Sequence, residues 1–217
     1  VDNGFVGLRS GIMIPSVEKG HAYSNFNLTS SYPLIIMNAA ETAFLKAEGK
    51  LRGWNVGAKT AKEFYEEGIA LSFKQWGAAG IEKYIEDDTR LPLAYKDPLQ
   101  DNTYSGNIST ITIAWKDDAD FEQNLERIIT QKWIANFPFL GIEAWSEHRR
   151  TGYPKFMNVA INNSLGLVDT GFGPRRLNYP QSEISTNAEN VQKAVAEYLN
   201  GPDNLATRVW WDCKNKK

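Results

Sequence analysis

Cysteine, histidine and long apolar runs are scarce in this sequence. A single cysteine, Cys213, excludes an internal disulfide and a cysteine-rich zinc site. Only two histidines are present, His21 and His148, and neither stands in the H-E-x-x-H spacing of a catalytic zinc site. A membrane-spanning helix needs roughly 18 or more consecutive apolar residues, and a run such as Leu34 to Met37 is far shorter. The sequence therefore predicts no transition-metal centre, no cofactor and no membrane span.

An excess of charge of either sign is also missing. The 217 residues include 24 Lys and Arg against 26 Asp and Glu, so there is no basic field to hold nucleic acid or an anionic membrane. The one positive cluster, Lys214, Lys216 and Lys217, is a short C-terminal tail. What the sequence does have is 42% hydrophobic and 12% aromatic residues, which is enough to build a core. Nucleic acid is therefore not a predicted partner.

Apolar residues at helical spacing predict two consecutive helices in the first half of the chain. The first extends from Leu34 to Leu51. The second begins at Thr60 and Glu63, which have the pattern of a capping box, and continues to Trp76. The short turn between them predicts an antiparallel hairpin, in which the alanines and Gly49 of the first helix allow its partner to approach closely.

The rest of the chain is predicted to alternate between helices and long irregular loops. The predicted elements are a short helix at 81–87, a brief strand at 111–115, helices at 117–137 and 140–150, and a last helix that begins with a capping box at Thr186 and Glu189. The buried face of the helix at 117–137 is predicted to comprise Leu125, Ile129, Trp133 and Phe137. These elements predict a single domain over residues 1–217 that is mainly α-helical.

Two short motifs resemble ligand-binding loops but lack a required residue. The segment Gly53–Thr60, GWNVGAKT, contains the lysine and threonine of a phosphate-binding loop, but Ala58 stands where glycine must precede the lysine. The segment Asp117–Asp120, DDAD, lacks the glycine and the distal glutamate of an EF-hand loop. We interpret the first as an interhelical turn and the second as a helix N-terminus whose carboxylates complement the helix dipole.

The segment EAWSEHRRTGYP, Glu143 to Pro154, combines two carboxylates with a histidine, two arginines and a tryptophan. Helical spacing puts Glu143 and Glu147 one turn apart on one face, which makes them a candidate acid and base pair of a glycoside hydrolase. Arg150 opposes this role because an adjacent arginine favours the ionised form of a carboxylate, whereas a general acid must be protonated. We therefore prefer the interpretation of a packed, ion-paired helix end.

Aromatic residues are abundant, with seven Trp and nine Tyr. On the predicted helices, Trp76, Trp133 and Trp145 fit the buried stripes and are predicted to belong to the core. Aromatic side chains in loops are freer to stack on the apolar face of a sugar ring, although burial is expected for most of them. The ligand-binding residues predicted from loop position and side-chain chemistry are Tyr23, Asn25, Tyr104 and Trp115.

Four segments together resemble one known protein family. They are YPLIIMNAAETAFLKAEGKLRGW, ERIITQKWIANFPFLGIEAWSEHRRTGYPKF, RRLNYPQSEISTNAENVQKAV and DNLATRVWWD. On these segments the sequence resembles the C-terminal half of the SusD/RagB family, the outer-membrane nutrient-binding lipoproteins of Bacteroidetes. The resemblance implies a SusD-like helical fold with tetratricopeptide-like helix pairs, of which residues 34–77 form one, and with long irregular loops that carry the ligand contacts.

The resemblance also implies a location and partners. It implies anchoring at the outer-membrane surface by an N-terminal lipidated cysteine and pairing with a SusC-like TonB-dependent transporter. Cys213 is at the wrong end of the chain to be that cysteine. The chain is therefore expected to be the C-terminal part of a longer protein, without the N-terminal helix pairs and the lipid through which the protein associates with the membrane.

The leading functional hypothesis is non-catalytic binding of a glycan or oligosaccharide for delivery to the transporter. The family has no catalytic motif, so no enzyme activity is expected, and no family residue is transferred to this chain as a ligand contact. A protein-interaction scaffold or transporter lid without its own sugar site is the alternative. An enzyme that uses Glu143 and Glu147 is a third hypothesis.

Overall fold

The computed structural model describes residues 4–106 and 108–212, so Cys213 and the terminal lysines lie outside the described residues. The described residues are helical and contain no strand, which confirms the prediction of a mainly α-helical fold. The helices are α1 (Val17–Gly20), α2 (Ala39–Leu51), α3 (Ala61–Trp76), α4 (Ile81–Ile85), α5 (Phe121–Asn136), α6 (Gly141–Thr151), α7 (Gln181–Thr186) and α8 (Ala188–Tyr198). Among them, none has the length and apolar character needed to cross a membrane.

The described residues form two compact units. Unit 1 contains residues 4–25, 96–104 and 156–212, and with them helices α1, α7 and α8. Unit 2 contains residues 26–95, 105–106 and 108–155, and with them helices α2 to α6. The single domain over residues 1–217 stays a prediction.

The predicted hairpin is present in unit 2 as α2 and α3. Helix α2 begins later than the predicted Leu34, because the Asn38 side chain accepts a hydrogen bond from the Glu41 N–H at 2.7 Å and caps the helix there. The capping box of α3 is confirmed, since the Thr60 hydroxyl accepts from the Glu63 N–H at 3.2 Å and the Glu63 carboxylate accepts from the Thr60 N–H at 2.7 Å. The segment Gly53–Thr60, which resembles a phosphate-binding loop, belongs to the turn between these two helices, as predicted.

The core of unit 2 lies where α2, α3 and α5 meet. Its buried residues are Ala40, Phe44, Ala47, Phe64, Tyr65, Ile69, Leu125, Ile128, Ile129 and Ala135. Helices α2 and α3 approach each other closely at Gly68, where an added Cβ atom would lie 2.6 Å from Cε1 of Phe44. Of the small residues of α2 that were predicted to allow this approach, the alanines Ala40, Ala43 and Ala47 are buried, but a Cβ atom added at Gly49 would meet Val56 in the interhelical turn at 3.0 Å. Helix α3, not α2, therefore supplies the glycine that the packing requires.

Replacing Gly68 with alanine is expected to destabilise the protein by about 1–3 kcal/mol, because the new methyl group would overlap the buried Phe44 ring. Gly141→Ala is the matched control, since a Cβ atom added at Gly141 meets no atom within 4 Å and alanine favours a helix. Chemical unfolding of both variants measures the difference. Equal stabilities would contradict the close packing at Gly68.

The buried face of α5 differs from the predicted one. Leu125 and Ile129 are buried, as predicted, but Trp133 and Phe137 are 38% and 53% exposed. Residues four apart on an α-helix differ in side-chain direction by about 40°. A series of residues chosen at i+4 spacing therefore turns steadily away from the buried face. Trp76, at the end of α3, is also 40% exposed. The assignment of Trp76 and Trp133 to the core is therefore wrong.

Two further predictions of local structure are wrong. Residues 111–115 form no strand, since the described chain offers no neighbouring strand to pair with them, and the carbonyl of Ile113 instead accepts a hydrogen bond from the Tyr65 hydroxyl at 2.6 Å. The last helix has no capping box at Thr186, because this residue ends α7 and its hydroxyl donates to the Ser182 carbonyl at 2.8 Å. Helix α8 follows separately, and no α8 residue is buried.

Unit 1 contains a buried ion pair near the end of the described chain. Arg175 Nε donates to the Asp212 carboxylate at 2.6 Å, and Arg208 Nη1 donates to the same carboxylate at 2.9 Å. Arg176 pairs in turn with Asp203. These pairs join the loop at 175–176 to the segment that follows α8.

Candidate functional site

The two carboxylates of the EAWSEHRRTGYP segment have different surroundings. Glu143 is exposed, whereas the Glu147 carboxylate accepts hydrogen bonds from Lys132 Nζ at 3.0 Å and from Arg150 Nε at 3.2 Å. The predicted pairing of Glu147 with Arg150 is therefore confirmed. With two cations bound to Glu147, the segment has the arrangement of an ion-paired helix end.

This ion-pair network continues from α6 to α2. Lys132 Nζ lies 3.2 Å from Glu41 Oε1, and both terminal nitrogens of Arg150 donate to the Glu48 carboxylate at 2.6 Å. Arg52 donates to the same carboxylate at 2.8 Å. Burial alone would raise the pKa of Glu48, but its hydrogen bonds with Arg150 and Arg52 and their charges lower that pKa overall. The alternating charges join α2, α5 and α6.

The histidines and acidic residues of the described chain form no metal-binding group. Nowhere in residues 4–106 and 108–212 do three His, Asp or Glu side chains converge on a place where an ion would fit. His148 is buried, and its Nδ1 lies 3.0 Å from the Pro154 carbonyl oxygen. In the DDAD segment, the Asp120 side chain caps α5 by accepting a hydrogen bond from the Gln123 N–H at 2.8 Å, as interpreted from the sequence.

Three of the four predicted ligand-binding residues lie in unit 1. Tyr23 is buried, and its hydroxyl donates to Asp97 Oδ1 at 2.5 Å, whereas Asn25 is exposed. Burial alone would raise the pKa of Asp97, but the hydrogen bonds from Tyr23 and Asn102 lower that pKa overall. Tyr104 is half-buried.

Arg9 contacts both Asn102 and Tyr104. Its guanidinium lies 4.8 Å from the centre of the Tyr104 ring, and Nη1 donates to the Asn102 carbonyl at 3.0 Å. The fourth predicted residue, Trp115, lies in unit 2, where it is half-buried and its ring centre is 5.4 Å from that of Tyr65. Ligand binding by the four residues stays a prediction.

A partly exposed aromatic group lies in unit 2 beside the C-terminal end of α5. We call it the aromatic shelf, and it consists of Phe26, Tyr32, Trp76, Phe137 and Phe139. The Tyr32 ring stacks on Trp76, with 6.0 Å between ring centres and 9° between planes, and on Phe139 at 5.4 Å and 16°. The rings of Phe26 and Phe137 are 5.1 Å apart and tilted by 50°. The shelf therefore presents aromatic surface at the edge of the unit.

A hollow of about 390 Å³ lies against the shelf and is lined by Phe26, Trp76 and Phe137 together with the polar side chains of Asn27 and Ser72. Aromatic surface next to a few polar groups is the usual lining of a small-molecule site. The hollow can therefore offer a sugar ring both an apolar face and hydrogen bonds.

A second concavity, of about 350 Å³, lies along α5 and borders the core at Tyr65. We call it the α5 cleft, and it is lined by Tyr65, Tyr84, Arg90, Leu91, Pro92, Ile111, Thr112, Ile113, Arg127, Thr130, Gln131, Trp133 and Ile134. The Tyr84 hydroxyl donates to Gln131 Oε1 at 3.1 Å, and burial raises the pKa of Tyr84. The cleft thus has a mainly apolar lining with three aromatic rings, and a few amide, hydroxyl and guanidinium groups lie among them.

The α5 cleft and the aromatic shelf are neighbours, because Ile134 lines both concavities. We refer to the two together as the α5 surface. This surface is not predicted from the sequence, because the helical spacing of Trp76 and Trp133 predicts that both belong to the core. A signal was nevertheless present, because Arg127, Thr130 and Ile134 stand at i, i+3 and i+7 and form a second stripe on α5.

Over residues 1–212 the sequence matches the model of a family described as SusD-like, Susd and RagB outer membrane lipoprotein. The chain belongs to this SusD-like family. The resemblance predicted from the four sequence segments is confirmed, and so is the SusD-like helical fold, which solved SusD-like proteins share. Among curated proteins, no sequence matches the chain.

Three solved SusD-like structures show the extent of the similarity. A SusD homolog from Bacteroides uniformis is 52% identical over 88% of this chain, with a TM-score of 0.84. A SusD-like protein from Bacteroides thetaiotaomicron is 43% identical over 97%, with a TM-score of 0.88. A SusD homolog from Flavobacterium johnsoniae, described as chitin-binding, is 51% identical over 83%, with a TM-score of 0.77. The chain spans 40%, 44% and 37% of these three proteins, respectively.

Proposed function

We propose that this SusD-like chain takes part in non-catalytic binding of a glycan at the cell surface, for delivery to a SusC-like TonB-dependent transporter. Membership of a family of outer membrane lipoproteins supports the location. A relative that is 51% identical and described as chitin-binding supports a saccharide as the ligand.

The observation that carries the proposal is the α5 surface. A pyranose ring has an apolar C–H face that stacks on an aromatic ring, while its hydroxyl groups need polar partners at the edge of that ring. Trp76 and Trp133 offer partly exposed rings, and Asn27, Ser72 and Gln131 line the adjoining concavities. An oligosaccharide that crosses Ile134 would contact both parts of the surface.

The absence of catalysis is part of the proposal. Glycoside hydrolysis needs two carboxyl groups on opposite sides of the scissile bond. Glu147 is bound by Lys132 and Arg150, and Glu143 is exposed on the same helix, which disfavours the pair as acid and base.

The four residues predicted from the sequence stay proposed ligand contacts. Tyr104 and Asn25 are the more accessible of those in unit 1, whereas the Tyr23 hydroxyl is bound to Asp97. Trp115 is half-buried in unit 2 and its Nε1 donates to Asp117 at 3.0 Å.

Affinity electrophoresis of the full-length protein in gels that contain glycol chitin, starch, xylan or pectin tests the proposed function. At least one polysaccharide is expected to retard the protein. Trp76→Ala is expected to weaken that binding about tenfold or more, because a central aromatic contact contributes roughly 1–2 kcal/mol or more. Trp210→Ala is the control, since Trp210 is 87% exposed in unit 1 and belongs to neither concavity.

Equal effects of the two substitutions would contradict binding at the α5 surface. If no polysaccharide retards the protein and it co-purifies with a SusC-like barrel, the result would contradict glycan binding and favour the alternative of a transporter lid or scaffold.

A further inference from the structure

We infer that the α5 cleft binds the carboxylate of an acidic saccharide through Arg127, an inference that rests on the proposed glycan-binding function. The ligand class is a sugar chain that carries uronic acid units.

The Arg127 side chain lines the cleft and is only partly satisfied by the protein. The residue is 6% exposed, its Nη1 donates to Asn124 Oδ1 at 3.0 Å, and its Nε has no hydrogen-bond partner among the described residues. Asn124 is itself fixed by a hydrogen bond from its Nδ2 to the Lys116 carbonyl at 3.0 Å. Burial lowers the pKa of the Arg127 guanidinium. A buried guanidinium without a carboxylate partner is costly, and an incoming anion would remove that cost.

The charges around Arg127 do not include an ion-pair partner among the described residues. Within the described residues, no carboxylate comes close enough to Arg127 to form an ion pair, and Glu126, Asp118 and Asp120 act on it only at longer range. Glu126 is already bound by Lys155 Nζ, at 2.9 Å.

The lining of the cleft includes two arginines and no Asp or Glu. The second arginine, Arg90, pairs with Asp87 and has an exposed side chain. Arginine binds a carboxylate through two parallel hydrogen bonds, which is the geometry that a uronate group offers.

The remaining groups of the cleft suit the rest of a sugar unit. Trp133 and Tyr84 supply rings for the C–H face, while Thr130 and Gln131 supply hydroxyl and amide groups for the sugar hydroxyls. The aromatic shelf beyond Ile134 can hold the next sugar unit of the chain. An acidic oligosaccharide therefore matches both the charge and the shape of the α5 surface.

Isothermal titration calorimetry of the full-length protein with tetragalacturonate and with its methyl ester tests the inference. The two ligands have the same length and hydroxyl pattern, but the ester lacks the negative charges. Tetragalacturonate is expected to bind about tenfold or more tightly than the ester, since a hydrogen bond between a guanidinium and a carboxylate is stronger than one to a neutral ester.

Substitutions of Arg127 test whether this residue causes the preference for tetragalacturonate over its ester. In Arg127→Gln the preference for tetragalacturonate is expected to fall to about twofold or less, and in Arg127→Lys part of it is expected to remain. Lys62→Gln is the control, because it removes one positive charge from an exposed position that does not line the cleft. If Arg127→Gln does not fold, Arg127→Lys carries the test, and an unchanged preference in that variant would overturn the assignment to Arg127.

Equal affinities for tetragalacturonate and its ester would overturn the inference, and so would an unchanged preference in Arg127→Gln. Acetate that binds as tightly as tetragalacturonate would also overturn it, because the site would then be specific for a small anion. If neutral polysaccharides retard the protein but the acidic preference is missing, the proposed function stands and only this inference fails.

Discussion

Replacing Lys132 with alanine is expected to lower the free energy of unfolding by about 3–5 kcal/mol, because the substitution breaks a buried ion-pair network at its centre. The Lys132 side chain is 3% exposed, and its Nζ lies between Glu41 Oε1 at 3.2 Å and Glu147 Oε1 at 3.0 Å. Without the ammonium group, the nearly buried carboxylate of Glu41 loses its ion-pair partner. Urea unfolding followed by circular dichroism measures the loss.

Two further variants separate the charge effect from lost packing. Lys132→Met keeps most of the side-chain volume, so we expect it to lose most of the same stability if charge is the cause. The double variant Lys132→Met with Glu41→Gln removes both charges and is expected to be more stable than Lys132→Met alone. Lys62→Ala, at an exposed pair with Glu66, is expected to change stability by about 0.5 kcal/mol or less. A loss below about 1 kcal/mol for Lys132→Ala would contradict the structural role of the network.

Asp212→Ala is expected to destabilise unit 1 by about 3–5 kcal/mol as well. The Asp212 side chain is fully buried, and Arg175, whose side chain is 7% exposed, donates to it at 2.6 Å. Removal of the carboxylate leaves the buried Arg175 guanidinium without this counter-charge. Thermal unfolding monitored by the near-ultraviolet signal of the neighbouring tryptophans measures the effect.

Arg208→Ala is the matched control for the Asp212 substitution. Arg208 binds the same carboxylate at 2.9 Å, but its side chain is 34% exposed, so its loss leaves the buried pair with Arg175 intact. A partly exposed pair of this kind contributes about 1 kcal/mol or less. Equal losses for the two variants would show that burial of the Arg175–Asp212 pair is not the cause.

Much of the helical fold could be predicted from the sequence, because the signals are local. A hydroxyl at Thr60 and a carboxylate at Glu63 specify the start of α3 through the two hydrogen bonds of a capping box, and the Asp120 carboxylate specifies the start of α5 through one hydrogen bond from the Gln123 N–H. The pairing of Glu147 with Arg150 could also be predicted from the sequence, because residues three apart lie on the same face of a helix. The family also followed from the sequence, because several long segments match it in order.

The candidate site could not be predicted in the same way, because exposure depends on neighbours that are distant in sequence. Trp133 has the spacing of a buried residue, yet the core formed with α2 and α3 includes Leu125 and Ile129 and not Trp133. The burial of Arg127 also depends on this packing, since arginine is usually exposed and nothing in its local sequence shows that its Nε lacks a partner. The opposite holds for Tyr23, which has the loop context of an exposed residue but is buried, with its hydroxyl donating to Asp97.

The indole N–H resonances of the tryptophans provide the most direct test of saccharide binding at the α5 surface. The chain contains seven tryptophans, which lie in both units, and replacement of single residues by phenylalanine assigns their signals in the isotope-labelled full-length protein. Addition of chitotetraose or tetragalacturonate is predicted to shift the signals of Trp76 and Trp133 while those of Trp54 and Trp210 stay in place. Shifts confined to Trp54, Trp115 or Trp210, or no shift with either saccharide, would contradict binding at this surface.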